Sequence, residues 1–276
     1  MYLLNGESKQ TLEFSDRGFQ YGDGLFETIE VKNGSPLFLE QHLQRLLKDC
    51  QRLLIPAPDL KLLRKEAFQL AQGTDSAVLK LIITRGTGGR GYRQPDTISP
   101  TRLFSLHPFP QYPADFFYTG ITARFCCTRL GLNPALAGIK HLNRLEQVLA
   151  RAEWNTADIQ EGIMLDFNDH IIEGTMSNIF LVKDQVLYTP LIEHCGVEGI
   201  LKKIISTLAK GSDIEIIETN ISKEQVFSAD ELFLTNSIIG IWPIKQLETQ
   251  SYKIGKLTKT LQSLFLALKQ EQSHAC

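Results

Sequence analysis

Pro95, Pro100, Pro108, Pro110 and Pro113 crowd one short stretch of the chain, residues 95 to 114. Each fixes its own φ and removes a backbone donor, so the stretch interrupts regular structure and suits a crossing between two bodies. It divides the 276 residues into an N-terminal lobe, 1–110, and a C-terminal lobe, 111–276. Each is long enough to bury a core of its own.

In the first lobe LFETIEV (25–31) alternates, with Leu25, Ile29 and Val31 on one side and Phe26, Thr28 and Glu30 on the other. The following Asn33-Gly34 signals a hairpin. Residues 36–55 predict an amphipathic helix: Leu39, Leu43, Leu46, Leu47, Cys50, Leu53 and Leu54 recur at helical spacing, opposite a polar stripe of Gln41, Arg45, Lys48 and Arg52. A weaker helix near 59–72 leads into the β-branched run AVLKLIIT (77–84), which reads as a buried strand. The lobe is mixed α and β.

The second lobe opens with ITARFCCTR (121–129), then a helix following Lys140 and carried by Leu142, Leu145, Val148, Leu149 and Ala152. GIMLD, HIIEG, NIFLV and QVLYTP follow as short strands with turns at Asn168-Asp169 and Lys183-Asp184, the pattern of an antiparallel meander and a barrel-like lobe. A helix over 200–211 ends at Gly211, ELFLT (231–235) is a strand, and 254–269 is a last helix.

A formal net charge of -2 gives no bias towards nucleic acid or an anionic membrane, so neither is expected as a partner. MYLLNGESKQ lacks the pattern of a signal peptide and no run of about twenty apolar residues occurs, which points to a cytoplasmic protein. Cys50, Cys126, Cys127, Cys195 and Cys276 form no CxxC pair and read as reduced thiols; the histidines show no metal-ligand spacing, so no metal site is expected.

RGTGGRGY (85–92) contains GxGxxG as Gly86, Gly88 and Gly91. A dinucleotide fingerprint also needs a helix opening there and an acidic residue about twenty positions on, and Tyr92-Arg93-Gln94-Pro95 breaks structure instead. It reads as a flexible loop whose Arg90 and Tyr92 can serve an anionic ligand, or be simply a solvated arginine and a packed tyrosine.

Lys140, in NPALAGIKHLNRLEQ (133–147), stands between a Pro/Gly loop and the expected helix. A lysine that attacks a carbonyl or accepts a proton must be neutral, and a helix N-terminus supplies potential that lowers its pKa from about 10.4. A solvated helix end is the plain alternative. Three further segments carry comparable double readings. Glu173 in EGTMSNIF is a buried ring-nitrogen partner or a turn glutamate, and GVEGILKK is a phosphate-binding helix start or ordinary capping. Thr235-Asn236-Ser237 after ELFL donates to a phosphate or forms a small polar turn.

Taken in order, SDRGFQYGDGLFETI, HLQRL, LKLIITRGTGGRGY, RLGLNPALAGIKHLNRLEQVLAR, EGTMSNIF, GVEGI and LTNSIIGIWPI resemble the class IV, D-amino-acid and branched-chain aminotransferase-type pyridoxal phosphate enzymes over nearly the whole chain. The resemblance implies the α+β, two-lobed fold of that family, with an N-terminal mixed α/β lobe and a C-terminal barrel-like lobe carrying the cofactor lysine. It implies that Lys140 forms the Schiff base with pyridoxal 5′-phosphate, that Glu173 pairs with the pyridine nitrogen, and that Arg45 holds the phosphate. The resemblance also assigns the backbone around Val197 and Glu198, with Thr235 and Asn236, to the rest of the phosphate cup. Thr28, Arg90 and Tyr92 fall at substrate-side positions, Thr28 as a proton donor.

GIKHLNRLEQ and RGTGGRGY favour the family's lyases, which turn 4-amino-4-deoxychorismate into 4-aminobenzoate and pyruvate for folate, over its transaminases. The segment after Glu173 reads more like the transaminases. A homodimer is implied. A transaminase on the same fold, or a non-catalytic phosphate-binding protein, are the other readings.

Overall fold

In a computed structural model the described residues are 1–274, the side chain of His274 excepted; Cys276 lies outside them. The chain forms two compact units. Unit 1 holds Met1–Pro110, Lys140–Asn143 and the described residues from Lys269 on; unit 2 holds Gln111–Ile139 and Arg144–Leu268.

Unit 1 comprises β1 (Tyr2–Leu4), α1 (Arg17–Tyr21), β2 (Gly24–Lys32), β3 (Ser35–Pro36), α2 (Leu39–Arg52), α3 (Leu60–Ala71), β4 (Ser76–Thr84) and β5 (Thr101–Pro108). Its strands form one antiparallel sheet in the order β1-β5-β4-β2-β3. The β2–β3 turn places Asn33 and Gly34 at φ 50° and 78°, the pair of positive values that a two-residue hairpin needs. One face, with Leu25, Ile29, Leu79, Leu81, Ile83 and Phe104, is buried against α2 and α3. The prolines of the 95–114 stretch bracket β5 rather than exclude it: Pro100 precedes the strand and Pro108 ends it.

Unit 2 comprises α4 (Asp115–Tyr118), β6 (Ile121–Leu130), α5 (Leu145–Arg151), β7 (Glu161–Asp166), β8 (Ile171–Gly174), β9 (Asn178–Lys183), β10 (Val186–Pro190), α6 (Ile200–Gly211), β11 (Ile216–Thr219), α7 (Lys223–Phe227), β12 (Glu231–Asn236), β13 (Gly240–Leu247), β14 (Gln250–Ser251) and α8 (Lys256–His274). The strand order β9-β12-β13-β6-β7-β8 closes through a β8–β9 pairing into a six-stranded barrel, from which β10 and β11 extend. The β7–β10 run is the expected antiparallel meander, while β6 is parallel to both β7 and β13. The barrel interior is apolar, with Ile121, Ile163, Leu165, Ile179, Leu234 and Ile244 among its buried residues.

The helix expected directly after Lys140 begins only at Leu145, so Lys140 is not at a helix N-terminus. Residues 140–142 run beside β2 through a single bridge of His141 to Leu25: Phe26 N–H donates to the Lys140 carbonyl at 3.0 Å and Leu142 N–H to the Gly24 carbonyl at 3.0 Å. This pairing is why Lys140 belongs with unit 1 and not with the C-terminal lobe to which the sequence assigned it. Cys50, Cys126, Cys127 and Cys195 are free thiols, and burial pushes all but Cys127 up to about 12. No described helix is long and apolar enough to cross a membrane.

Candidate active site

In unit 1 the site grows from the alternation of β2. Leu25, Glu27, Ile29 and Val31 point to the buried face, which puts an acid, 1% exposed, among hydrocarbons. Such a carboxylate needs a buried partner. α2 supplies two: Arg45 Nε donates to Glu27 Oε1 at 2.8 Å and Nη2 donates to Oε2, while His42 Nδ1 lies 2.6 Å from Oε2. Burial alone would raise the Glu27 carboxyl, but Arg45, aided by His42, holds it at about 2. Burial lowers the His42 pKa, against the pull of Glu27. A neutral ring beside an ionised carboxylate carries its proton on Nδ1, and its Nε2 is then a buried acceptor without a partner.

Lys140 joins this group through its backbone. Its N–H donates to Asp49 Oδ2 at 3.3 Å, and its Nζ lies 4.3 Å from the Phe26 ring centroid. Burial raises the Asp49 carboxyl, opposed by that hydrogen bond. Phe26 and Thr28 alternate on the face of β2 opposite Glu27, and Thr28 is half-buried across from Lys80 of β4. Lys140 and Thr28 are thus served by one face of one strand.

In unit 2 a second group surrounds the end of β8. Glu173, 4% exposed, accepts Val197 N–H at 2.8 Å and Gln147 Nε2 at 3.4 Å. Asn178, opposite Glu173 in β9, donates through Nδ2 to the Val197 carbonyl at 2.8 Å and is the cross-strand neighbour of Thr235. Thr235 is 1% exposed and its Oγ1 has no hydrogen-bond partner. The Asn236 side chain donates to the Met176 carbonyl at 2.9 Å and accepts Ile238 and Ile239 N–H.

Beneath the loop that follows Glu173 lies Glu161, 1% exposed. It accepts the hydroxyls of Thr175 and Ser177 at 2.5 and 2.9 Å, and backbone N–H groups of Gly162, Thr175 and Met176. Burial pushes its carboxyl up and these donors oppose it. The loop is therefore clamped from below by Glu161 and at Met176 by Asn236.

A family model for amino-transferase class IV matches residues 24–247, which include both groups. The chain belongs to the aminotransferase class IV family. An aminodeoxychorismate lyase of Vibrio harveyi is 34% identical over 95% of this chain and 98% of its own length. The crystal structure of 4-amino-4-deoxychorismate lyase from Pseudomonas aeruginosa matches with a TM-score of 0.94 at 43% identity, covering 97% of this chain and 98% of that one. The branched-chain amino acid aminotransferase of Escherichia coli matches with a TM-score of 0.87 at 27% identity over 99% and 95%.

The geometry of this class IV chain sorts the candidate residues. Glu173, Val197, Thr235 and Asn236 come together in unit 2, and Lys140, Arg45 and Thr28 stand around β2 in unit 1. Arg90 and Tyr92 are on the exposed middle of the 85–100 loop, Tyr92 being 89% exposed and edge-on to Tyr21. That loop joins the antiparallel strands β4 and β5, so its glycines open no βαβ unit.

Three expectations change. Arg45 is not on a solvent stripe, because Glu27 draws it, with His42, to the buried side of α2. The amides of Val197 and Glu198 are engaged, by Glu173 and by the Gly138 carbonyl at 3.1 Å; no side chain caps α6, and its first-turn N–H groups form the donor end of that turn. Asn236 builds its own loop rather than presenting its amide. Glu27, His42, Asp49 and Glu161 were not singled out from sequence; the signal for Glu27 was an acid in phase with Leu25 and Ile29.

Proposed function

We propose that this chain is a pyridoxal 5′-phosphate-dependent lyase that converts 4-amino-4-deoxychorismate into 4-aminobenzoate and pyruvate. The observation that carries the reading is Lys140, its backbone fixed by β2 and its amine over Phe26 on the face that holds Thr28. The two lyase relatives, matched over nearly their whole length, support it.

The residues fit the cofactor. A buried Thr235 hydroxyl without a partner and the uncapped start of α6 are donors suited to a phosphate, and Glu173 is a buried carboxylate suited to a protonated ring nitrogen. When bound, the cofactor supplies an aldehyde that captures amines and a ring that accepts the electron pair left on a substrate carbon. Lys140 would hold it covalently, and Arg45, Thr235 and the α6 turn would hold its phosphate. Lys140 Nζ, as a neutral amine, would take the proton from the substrate carbon bearing nitrogen. The neighbouring carbon–oxygen bond then breaks, Thr28 protonates the departing oxygen, and the enolpyruvyl group leaves as pyruvate. The ring becomes aromatic, which drives the reaction forward. Arg90 and Tyr92 serve a substrate carboxylate.

The protein works as a homodimer in the cytoplasm. The apolar face of α5 supports association, since Leu145, Val148 and Leu149 are 76%, 60% and 61% exposed.

The test is pyruvate release from fresh 4-amino-4-deoxychorismate, with the Lys140→Ala protein as blank. Lysine-dependent pyruvate in step with 4-aminobenzoate is expected. Its absence from a protein that still shows the near-visible cofactor band leaves a transaminase as the reading, to which the likeness to a branched-chain amino acid aminotransferase lends support. Absence of the band as well leaves a phosphate-binding protein. Glu173→Gln should retain the band and slow turnover; full turnover would remove Glu173 from the ring nitrogen.

A further inference from the structure

The 85–100 loop has no apolar core, and four glycines with positive φ let it fold on itself. At Gly89, φ 76°, a Cβ would stand 2.6 Å from the Arg93 carbonyl, so the close approach requires glycine. What holds the loop is the Asp16-Arg17 pair that opens α1. Asp16, fully buried, accepts the hydroxyl of Thr84 at 2.8 Å and of Thr101 at 2.7 Å, the residues at the loop's two ends. Arg17, 4% exposed, reaches its middle: Nη1 lies 3.0, 3.4 and 3.5 Å from the carbonyls of Gly91, Arg93 and Gly88. Its Nε is fixed on Asp23 at 2.9 Å, and its guanidinium lies 4.9 Å from the centroid of Tyr21, the ring against which Tyr92 rests.

We propose that Asp16 and Arg17 are positioning residues that hold Arg90 and Tyr92 in register for a carboxylate-bearing substrate, Asp16 closing the loop's base and Arg17 gathering its crown. The inference rests on the substrate-side role of Arg90 and Tyr92 in the proposed function. One buried guanidinium satisfies carbonyls that a glycine loop leaves inward, and a cation gathered by several carbonyls and a carboxylate is fixed more firmly than by any one of them. Such a clamp acts on substrate binding and leaves the lysine chemistry alone.

The experiment uses the holoenzyme and four proteins: Arg17→Met, Arg90→Met, the double variant, and Thr101→Val as a milder perturbation that removes one donor to Asp16. Arg17→Met should raise KM for 4-amino-4-deoxychorismate about tenfold with kcat within about threefold, and the double variant should be no worse than Arg90→Met. Trypsin should cut after Arg90 and Arg93 faster in Arg17→Met, with the cofactor band unchanged. Thr101→Val should move KM in the same direction by less, and it decides the matter if Arg17→Met does not fold. Multiplying effects of Arg17→Met and Arg90→Met, or an unchanged cutting rate, overturn the clamp. A KM raised by Arg90→Met but by neither Arg17→Met nor Thr101→Val overturns it too. An unchanged KM in Arg90→Met removes the substrate role of the loop and with it this inference, while lysine-dependent pyruvate release still judges the reaction.

Discussion

Replacing Glu27 by Gln tests whether the buried Glu27–Arg45–His42 group organises unit 1. The carboxyl titrates at about 2 in the folded chain against an ordinary 4.5. At ~1.4 kcal/mol per pH unit that difference is worth about 3 kcal/mol of stability at neutral pH, fully present above 4.5 and lost as pH falls from there towards 2. Breaking a buried pair independently predicts a loss of about 3–5 kcal/mol, since Gln turns an NH2 towards the donors of Arg45 and His42 and leaves a buried cation. At pH 3 the unfolded chain already binds the proton and the folded one does not, so only about 1 kcal/mol of the difference survives. Urea unfolding followed by far-ultraviolet circular dichroism measures both; tryptophan fluorescence does not, because Trp154 and Trp242 both lie in unit 2. A loss below about 1 kcal/mol at pH 7, or a gap as large at pH 3 as at pH 7, refutes the assignment of a buried, ionised Glu27.

Three other outcomes are open to measurement. His42 is held below its ordinary 6.5 by burial, so the unfolded chain takes up a proton that the folded ring refuses, and stability falls as pH drops below 6.5. His42→Gln should make that slope shallower by up to ~1.4 kcal/mol per pH unit, and an unaltered slope between pH 7 and 5 rejects it. Thr235→Val should raise the stability of the cofactor-free protein by about 1 kcal/mol, because a buried hydroxyl without a partner is removed, and weaken pyridoxal phosphate binding about tenfold. Unchanged affinity in a titration followed by absorbance separates Thr235 from the phosphate. Phe104→Ala, emptying a fully buried position between β4 and β1, should cost about 3–5 kcal/mol; a loss near zero on thermal unfolding contradicts the packing of that sheet.

The legible parts of this chain are those in which short-range pattern and final environment agree. Asn33-Gly34 turns because the turn chemistry is complete within two residues. The 36–55 and 59–72 expectations shrink by a few residues to α2 and α3 without changing kind. Glu173 and Thr235 were placed by their order in the chain and by resemblance, and the barrel brings both against Asn178 through strand pairing.

The misread parts are those where a partner far along the chain reverses what the local pattern says. Leu142, Leu145, Val148 and Leu149 have the spacing of a buried helical stripe, yet Leu142 precedes the helix and bonds to Gly24, and the other three face outward from α5. His42, Arg45 and Asp49 likewise share a side of α2 that, by composition, belongs in water. Glu27 on β2 and the backbone of Lys140 draw that side inward. The consequence reaches the chemistry. With no helix beginning at Lys140, no helix dipole is available to favour its neutral amine, and Lys140 and Arg45 both bear electrostatically on the His42 ring. Arg45 is nearly neutralised by Glu27, so the Glu27→Gln protein, with Arg45 left uncompensated, should have a more acidic Lys140 than the parent. Dinitrophenylation of cofactor-free protein against pH, read at Lys140 by peptide mass, measures this, and a midpoint that fails to fall would return the control of that amine to groups other than Arg45.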